Sequence, residues 1–190
     1  MTEIGLLSTL KQIDLVRSGE LLSRELTEHF IERIERLDPE INAVVTRDFE
    51  VALKEADDAD EQRQKGKSAG ALHGIPITVK DALETRNLRS TGGAIELRDN
   101  VPDRDAAVVA SLRKEGAIVM GKTNLPRWSG DIQSYNEIFG TTNNPWDLSR
   151  GPGGSSGGAA AAVAMGFTSF EIGTDIGGSI RFPAAFNGIW

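Results

Sequence analysis

The chain has no cysteine and only two histidines, His29 and His73. The missing thiols exclude disulfides, thiolate metal sites and a cysteine nucleophile together. The two histidines are far apart and lack metal-ligand spacing, so neither a metal nor a cofactor is expected. A serine–histidine–aspartate triad would have to use one of them. Long apolar runs are missing too. Nothing approaches the ~18 residues of a membrane-spanning helix, and the opening MTEIGLLSTLKQIDLVRSGE places acids early and has no apolar signal core. The expected location is the cytoplasm. Lys and Arg form no run, and the net charge is −7. Nucleic acid and an anionic membrane are therefore poor partners, and a small-molecule substrate is the expected one.

Glycine is the abundant residue, at 21 of 190, concentrated in the second half. The first half reads as helix. Ile4, Leu7, Leu10, Ile13 and Val16 form one stripe over 3–17, ended by Ser18-Gly19. Leu26, Phe30, Ile31, Ile34 and Leu37 form another over 23–37, with Ser23 as N-cap and Pro39 as the stop. Together they predict a helical hairpin over residues 1–40. Ile41 to Thr46 reads as a strand, and 49–65 as a solvated outer helix rich in alanine and acids. Ile75 to Val79 reads as a buried strand running into Lys80-Asp81. A helix over 103–115, capped by Asp103 and closed by Gly116, then leads into a second buried strand, Ala117 to Met120. Residues 158–165 read as a small-residue helix and Phe170 to Ile172 as a short strand. A helix between apolar strands predicts an α/β fold, a mixed sheet flanked by helices. Without repeats or a linker, residues 1–190 read as one domain.

Two glycine-rich segments carry the chemistry. Gly151 to Gly158 leads into a helix, and its backbone N–H groups suit a negative centre. It lacks the lysine of a phosphate loop, so a structural turn stands as the alternative. In Ile176-Gly177-Gly178-Ser179 two glycines precede a serine. Their N–H groups can form an oxyanion hole beside the Ser179 hydroxyl, and a helix starting at Arg181-Phe182-Pro183 would add its dipole. A serine nucleophile needs a base. His73 lies in a turn with nothing to orient it. Lys80 ends a buried strand, where desolvation lowers the pKa of an amine. Its alternative role is to pair with Asp81.

Taken in order, Gly74-Ile75-Pro76-Ile77-Thr78-Val79-Lys80-Asp81, Gly121-Lys122-Thr123-Asn124, Gly140-Thr141-Thr142-Asn143-Asn144-Pro145-Trp146-Asp147, Gly153-Gly154-Ser155-Ser156-Gly157-Gly158 and Gly173 to Ala184 resemble the amidase signature family. The resemblance implies a Ser–cis-Ser–Lys triad, with Ser179 as nucleophile, Ser155 as the cis serine and Lys80 as base. It places the oxyanion hole on the N–H groups of Ile176, Gly177, Gly178 and Ser179. Ser156 is a candidate hydrogen-bond partner of Lys80. Asp175 is a candidate loop-orienting residue. Arg181 is a candidate either for a substrate carboxylate or for an internal ion pair. Trp128, Ile132 and Tyr135 are candidates for an acyl pocket or for core packing.

Members of the family are much longer, and this sequence ends at Trp190, eleven residues past Ser179. It is therefore expected to be the N-terminal part of the family fold, needing the remaining half or associating with itself. Three functions stay open. The first is hydrolysis of a carboxylic amide. The second is glutamine hydrolysis as one component of an amidotransferase, a branch to which Leu125 to Ile138 bears less resemblance. The third is an inactive fragment.

Overall fold

The computed structural model describes residues 4–189. Residues 1–3 of the predicted hairpin and residue 190 of the predicted domain lie outside the described residues. Helix α1 (Thr9–Ser18) follows a 3-10 turn at Ile4–Leu6, so the first stripe is broken. The Ser8 hydroxyl accepts the Lys11 N–H at 3.3 Å, and Gly19 closes the helix in the left-handed region, φ +81°.

Helix α2 (Ser23–Ile41) differs from expectation at both ends. Ser23 does not cap it. Its hydroxyl donates to the Gly74 carbonyl at 2.6 Å, while the buried Asp60 carboxylate accepts the N–H groups of Ser23 and Arg24, each at 3.0 Å. Pro39 does not stop it either. Proline removes only its own N–H from the last turn. The helix runs on to Ile41, and the Asp38 carboxylate fixes the exit by accepting the Ala43 N–H at 2.7 Å.

Strand β1 (Val44–Arg47) and helix α3 (Phe49–Gln64) follow. α3 is not simply an outer helix, because Ala52, Ala56 and Ala59 are buried. Next come β2 (Ile75–Lys80), α4 (Ala107–Lys114) and β3 (Ala117–Thr123). α4 begins four residues later than predicted. Asp103 does not cap it, and Asp105 accepts the Arg86 N–H at 2.7 Å instead. A two-residue hairpin, β4 (Tyr135–Asn136) and β5 (Gly140–Thr141), has no counterpart in the sequence reading. Helix α5 (Gly157–Ala164), strand β6 (Glu171–Ile172) and helix α6 (Arg181–Asn187) complete the chain.

The main sheet has the order β1-β3-β2-β6. β2 is parallel to both β3 and β6, and β1 is antiparallel to β3. This is the expected mixed sheet flanked by helices. Every residue of β2 and β3 is buried, which is why their apolar runs show no alternation. Ile75, Ile77, Val79 and Val119 pack with Val16, Leu26, Phe30, Ala56 and Val109 from four helices. α5 joins a second cluster of Ile34, Ile41, Val44, Ala161, Ala162 and Phe167. Its small residues let it approach closely: a Cβ on Gly158 would meet the Asn124 backbone. The carboxyl ends of β2, β3 and β6 thus lie together, the usual place for a site in an α/β sheet.

Candidate active site

Lys80 is the last residue of β2 and has no exposed surface. Its Nζ donates to the Ser155 hydroxyl and to the Thr174 hydroxyl, each at 2.7 Å. It does not pair with Asp81. That carboxylate meets Lys122 at 3.2 Å instead, and neither side chain is exposed. Burial pushes the Lys80 ammonium down to about 8, and Glu171 and Asp175 partly oppose the shift.

Ser155 is also fully buried. Its loop is held from several sides. The Ser134 hydroxyl donates to the Gly153 carbonyl and accepts the Gly157 N–H, each at 2.9 Å. The Asn187 amide donates to the Pro152 carbonyl at 2.7 Å. The Gly154–Ser155 peptide bond is cis. Ser156 does not reach Lys80. Its hydroxyl donates to the Thr174 carbonyl and accepts the Thr174 N–H, both at 3.3 Å. The Ser156 N–H donates to the Ser179 carbonyl at 3.0 Å. This bond ties the two serine loops together. Among the described residues no hydrogen bond joins the Ser155 and Ser179 hydroxyls.

Asp175 organises the loop before Ser179. It accepts the N–H groups of Gly178 (2.7 Å) and Ile180 (3.1 Å), and it forms a two-point pair with Arg181 at 2.9 and 3.0 Å. The Arg181 guanidinium, with these N–H groups, holds the Asp175 carboxyl well below the usual carboxylate range. Arg181 thus pairs with Asp175 while most of its side chain stays exposed. The Gly178 N–H is committed as well, unlike the other three donors expected for an oxyanion hole. Those of Ile176, Gly177 and Ser179 have no hydrogen-bond partner among the described residues. Ile176 and Gly177 face solvent, so an incoming carbonyl can reach them.

The remaining candidates fall elsewhere. His73 is structural: its Nδ1 accepts the Ala69 N–H at 3.0 Å and its Nε2 lies 2.9 Å from the Ala59 carbonyl. Trp128, Ile132 and Tyr135 are exposed, not core. Tyr135 lines a cavity of ≈340 Å³ with Gly93, Pro126 and Asp131. A larger cavity, ≈540 Å³, is lined by Ser156, Glu171, Gly173 and Ile180 among others, but by none of Lys80, Ser155 and Ser179. Among the described residues no group of three or more His, Cys, Asp or Glu side chains could hold a metal ion, and no helix is long and apolar enough to cross a membrane.

Sequence reasoning missed Thr174, the second acceptor for Lys80, and Glu171. As a whole residue Glu171 is half-buried, but its carboxyl head is enclosed. Thr78 donates a short hydrogen bond to it and Thr123 donates at 3.1 Å. Burial raises this carboxyl to about 8, against the pull of both threonines, Lys122 and Lys80. The only hint in the sequence is an acid inside a short strand.

Known proteins are similar to this chain in sequence and in fold. The A-type component of glutamyl-tRNA(Gln) amidotransferase from Psychrobacter sp. (strain PRwf-1) is 42% identical over 189 residues, covering all of this chain and 38% of that protein. Its counterpart from Moorella thermoacetica is 46% identical over 176 residues, 93% of this chain and 36% of its own length. The chain thus spans little more than a third of these relatives. Among solved structures, a fatty acid amide hydrolase superposes with TM-score 0.92 at 33% identity, over 97% of this chain and 33% of that one. A peptide amidase from Stenotrophomonas maltophilia superposes with TM-score 0.90 at 38% identity, over 96% and 39%. The Amidase family model matches residues 25–190, and the chain belongs to the amidase signature family.

Proposed function

We propose that this chain carries the catalytic residues of an amidohydrolase that cleaves a carboxylic amide C–N bond through an acyl-enzyme on Ser179. The observation that carries this reading is the buried Lys80 Nζ, 2.7 Å from the Ser155 hydroxyl, with Ser179 tied to the next residue by its carbonyl. A lysine ammonium pushed down to about 8 leaves about one-tenth of the molecules with a free amine at pH 7. That amine accepts the Ser155 proton, and Ser155 accepts the Ser179 proton. The contact between the two hydroxyls closes when substrate binds, as catalytic hydrogen bonds often do.

The Ser179 oxygen attacks the amide carbon and the C–O bond forms. Negative charge collects on the carbonyl oxygen, facing the free N–H groups of Ile176, Gly177 and Ser179. Each such donor is worth roughly 3 kcal/mol of barrier. The C–N bond then breaks, and the leaving amine takes the proton back through Ser155. Water attacks the acyl-enzyme by the same relay and releases the acid.

Identities of 42% and 46% to amidotransferase components favour a second reading of the same site. In it the amide is glutamine, and the ammonia released passes to a partner. A fluorophosphonate probe tests the shared chemistry. Labelling at Ser179, abolished by Ser179→Ala, is the expected result. A folded sample that stays unlabelled overturns the claim of a competent site and leaves the inactive-fragment reading. Ammonia release from a panel of amides then separates the two enzymatic readings. Activity confined to glutamine and dependent on a partner favours the amidotransferase.

A further inference from the structure

Among the described residues, Glu171 brings an enclosed carboxyl to the Lys80 side of the sheet that the proposed reaction does not use. Register explains its position. Side chains two apart on a strand share a face, so Thr78 and Lys80 lie on one face of β2. Thr78 is the register partner of Glu171 on β6, and Lys80 is the register partner of Thr123 on β3. The Glu171 carboxyl reaches across this face. One oxygen takes the Thr78 hydroxyl and the other takes the Thr123 hydroxyl. It therefore lies beneath the strand end that carries Lys80, held by two hydroxyls that are themselves fully buried.

The charges around it can be counted. β2 presents Lys80 and, just beyond its end, Asp81. β3 presents Lys122. β6 presents Glu171, and the loop after it presents Asp175. More distantly, Asp105 acts on Lys122. Asp81 and Lys122 neutralise each other at 3.2 Å. Asp175 is committed to Arg181 at 2.9 Å. Lys80 and Glu171 remain, without a contact ion pair, each shifted towards its uncharged form by burial. Lys122 still acts on Glu171 and Asp175 on Lys80, but Lys80 and Glu171 interact through a medium that screens poorly, so the state of one shifts the titration of the other.

We propose that Glu171 is a positioning residue for Lys80: its carboxyl, clamped by Thr78 and Thr123, is the counter-charge that biases Lys80 between ammonium and free amine. An ionised Glu171 raises the pH at which Lys80 gives up its proton. An uncharged Glu171 lowers it and makes the free amine easier to reach. Protons exchange with solvent, and no proton passes directly between the two. The inference rests on the reading of Lys80 as the base, but its test does not.

The test is a pH titration of the chain with ¹³Cε-labelled lysine, followed by NMR, with the Lys80 signal assigned by its loss in Lys80→Met. In the native chain the Lys80 signal is expected to move in two coupled steps. In Glu171→Gln, and equally in Glu171→Met, it should move in one step, displaced downward by on the order of one unit. The two variants differ in hydrogen bonding but not in charge. A shift shared by both identifies the charge as the cause, whichever folds better. An unchanged Lys80 titration in a folded variant overturns the proposal. So does a shift in one variant only. The readout needs no turnover. If Ser179 resists every probe while the Lys80 shift appears, the catalytic reading fails and this one stands.

Discussion

Acylation of Ser179 is expected to speed up about tenfold between pH 7 and pH 9. Burial pushes the Lys80 ammonium down to about 8. Only the free amine can accept a proton. About one-tenth of the molecules carry it at pH 7 and about nine-tenths at pH 9. The rate should therefore rise with pH and level off above about 9. Other bases give other curves. A lysine at its ordinary 10.5 would give about a hundredfold rise over the same interval, with no plateau. A histidine near its unperturbed 6.5 would give an almost flat profile. The assay is the rate of fluorophosphonate labelling of Ser179 by mass spectrometry, in buffers from pH 6 to 10 and corrected for probe hydrolysis. Lys80→Arg supplies a cation that cannot deprotonate, and it should be about 10²- to 10⁴-fold slower. Lys80→Met provides the same test without a charge, with near-UV circular dichroism as the check on folding. Refutation would be a native profile that persists in either variant, or a flat native profile.

Two further perturbations probe the frame around the serines. Lys122→Met strands the Asp81 carboxylate, since neither side chain of that pair is exposed. Stability to urea should fall by about 3–5 kcal/mol, and adding Asp81→Asn should restore part of it. Gly178 adopts φ +114°, and a Cβ there would meet the Phe182 ring. Gly178→Ala is therefore expected to displace the turn before Ser179, costing about 1–3 kcal/mol of local strain. Ser179 labelling should collapse while the melting temperature falls by about 2–12 °C and the chain stays folded at the assay temperature. Labelling at the native rate would show that the turn does not set the donor geometry.

Much of the architecture was legible along the chain because its signals are local. The apolar runs 75–79 and 117–120 became the two central strands, and the helical stripes became helices. What misled were positions where a side chain answers to a distant partner. Ser23 reads as a cap, but Asp60, 37 residues on, fills that role. Asp103 reads as a cap for a helix that starts only at Ala107. Pro39 reads as a stop, yet the helix tolerates it because only one N–H is lost. The site follows the same division. The motif order named Lys80, Ser155 and Ser179. Ser156 reads as a candidate partner for Lys80, whereas Thr174 is hydrogen-bonded to both of them.

The sequence alone determined the inventory: a serine after a double glycine, a serine pair in a glycine loop, a lysine at a buried strand end, no thiol and only two imidazoles. Motif spacing is a property of the chain, so residue identities suffice to read it. Tertiary structure decided the pairing. Asp81 could have answered Lys80, its neighbour in sequence, but it sits in the turn beyond the strand end, where its carboxylate accepts from Thr91 and meets Lys122. Asp81 pairs with Lys122 and leaves Lys80 to Ser155, Thr174 and the field of Glu171. Which charges face each other across a sheet depends on strand order and register, and neither is written in any one segment.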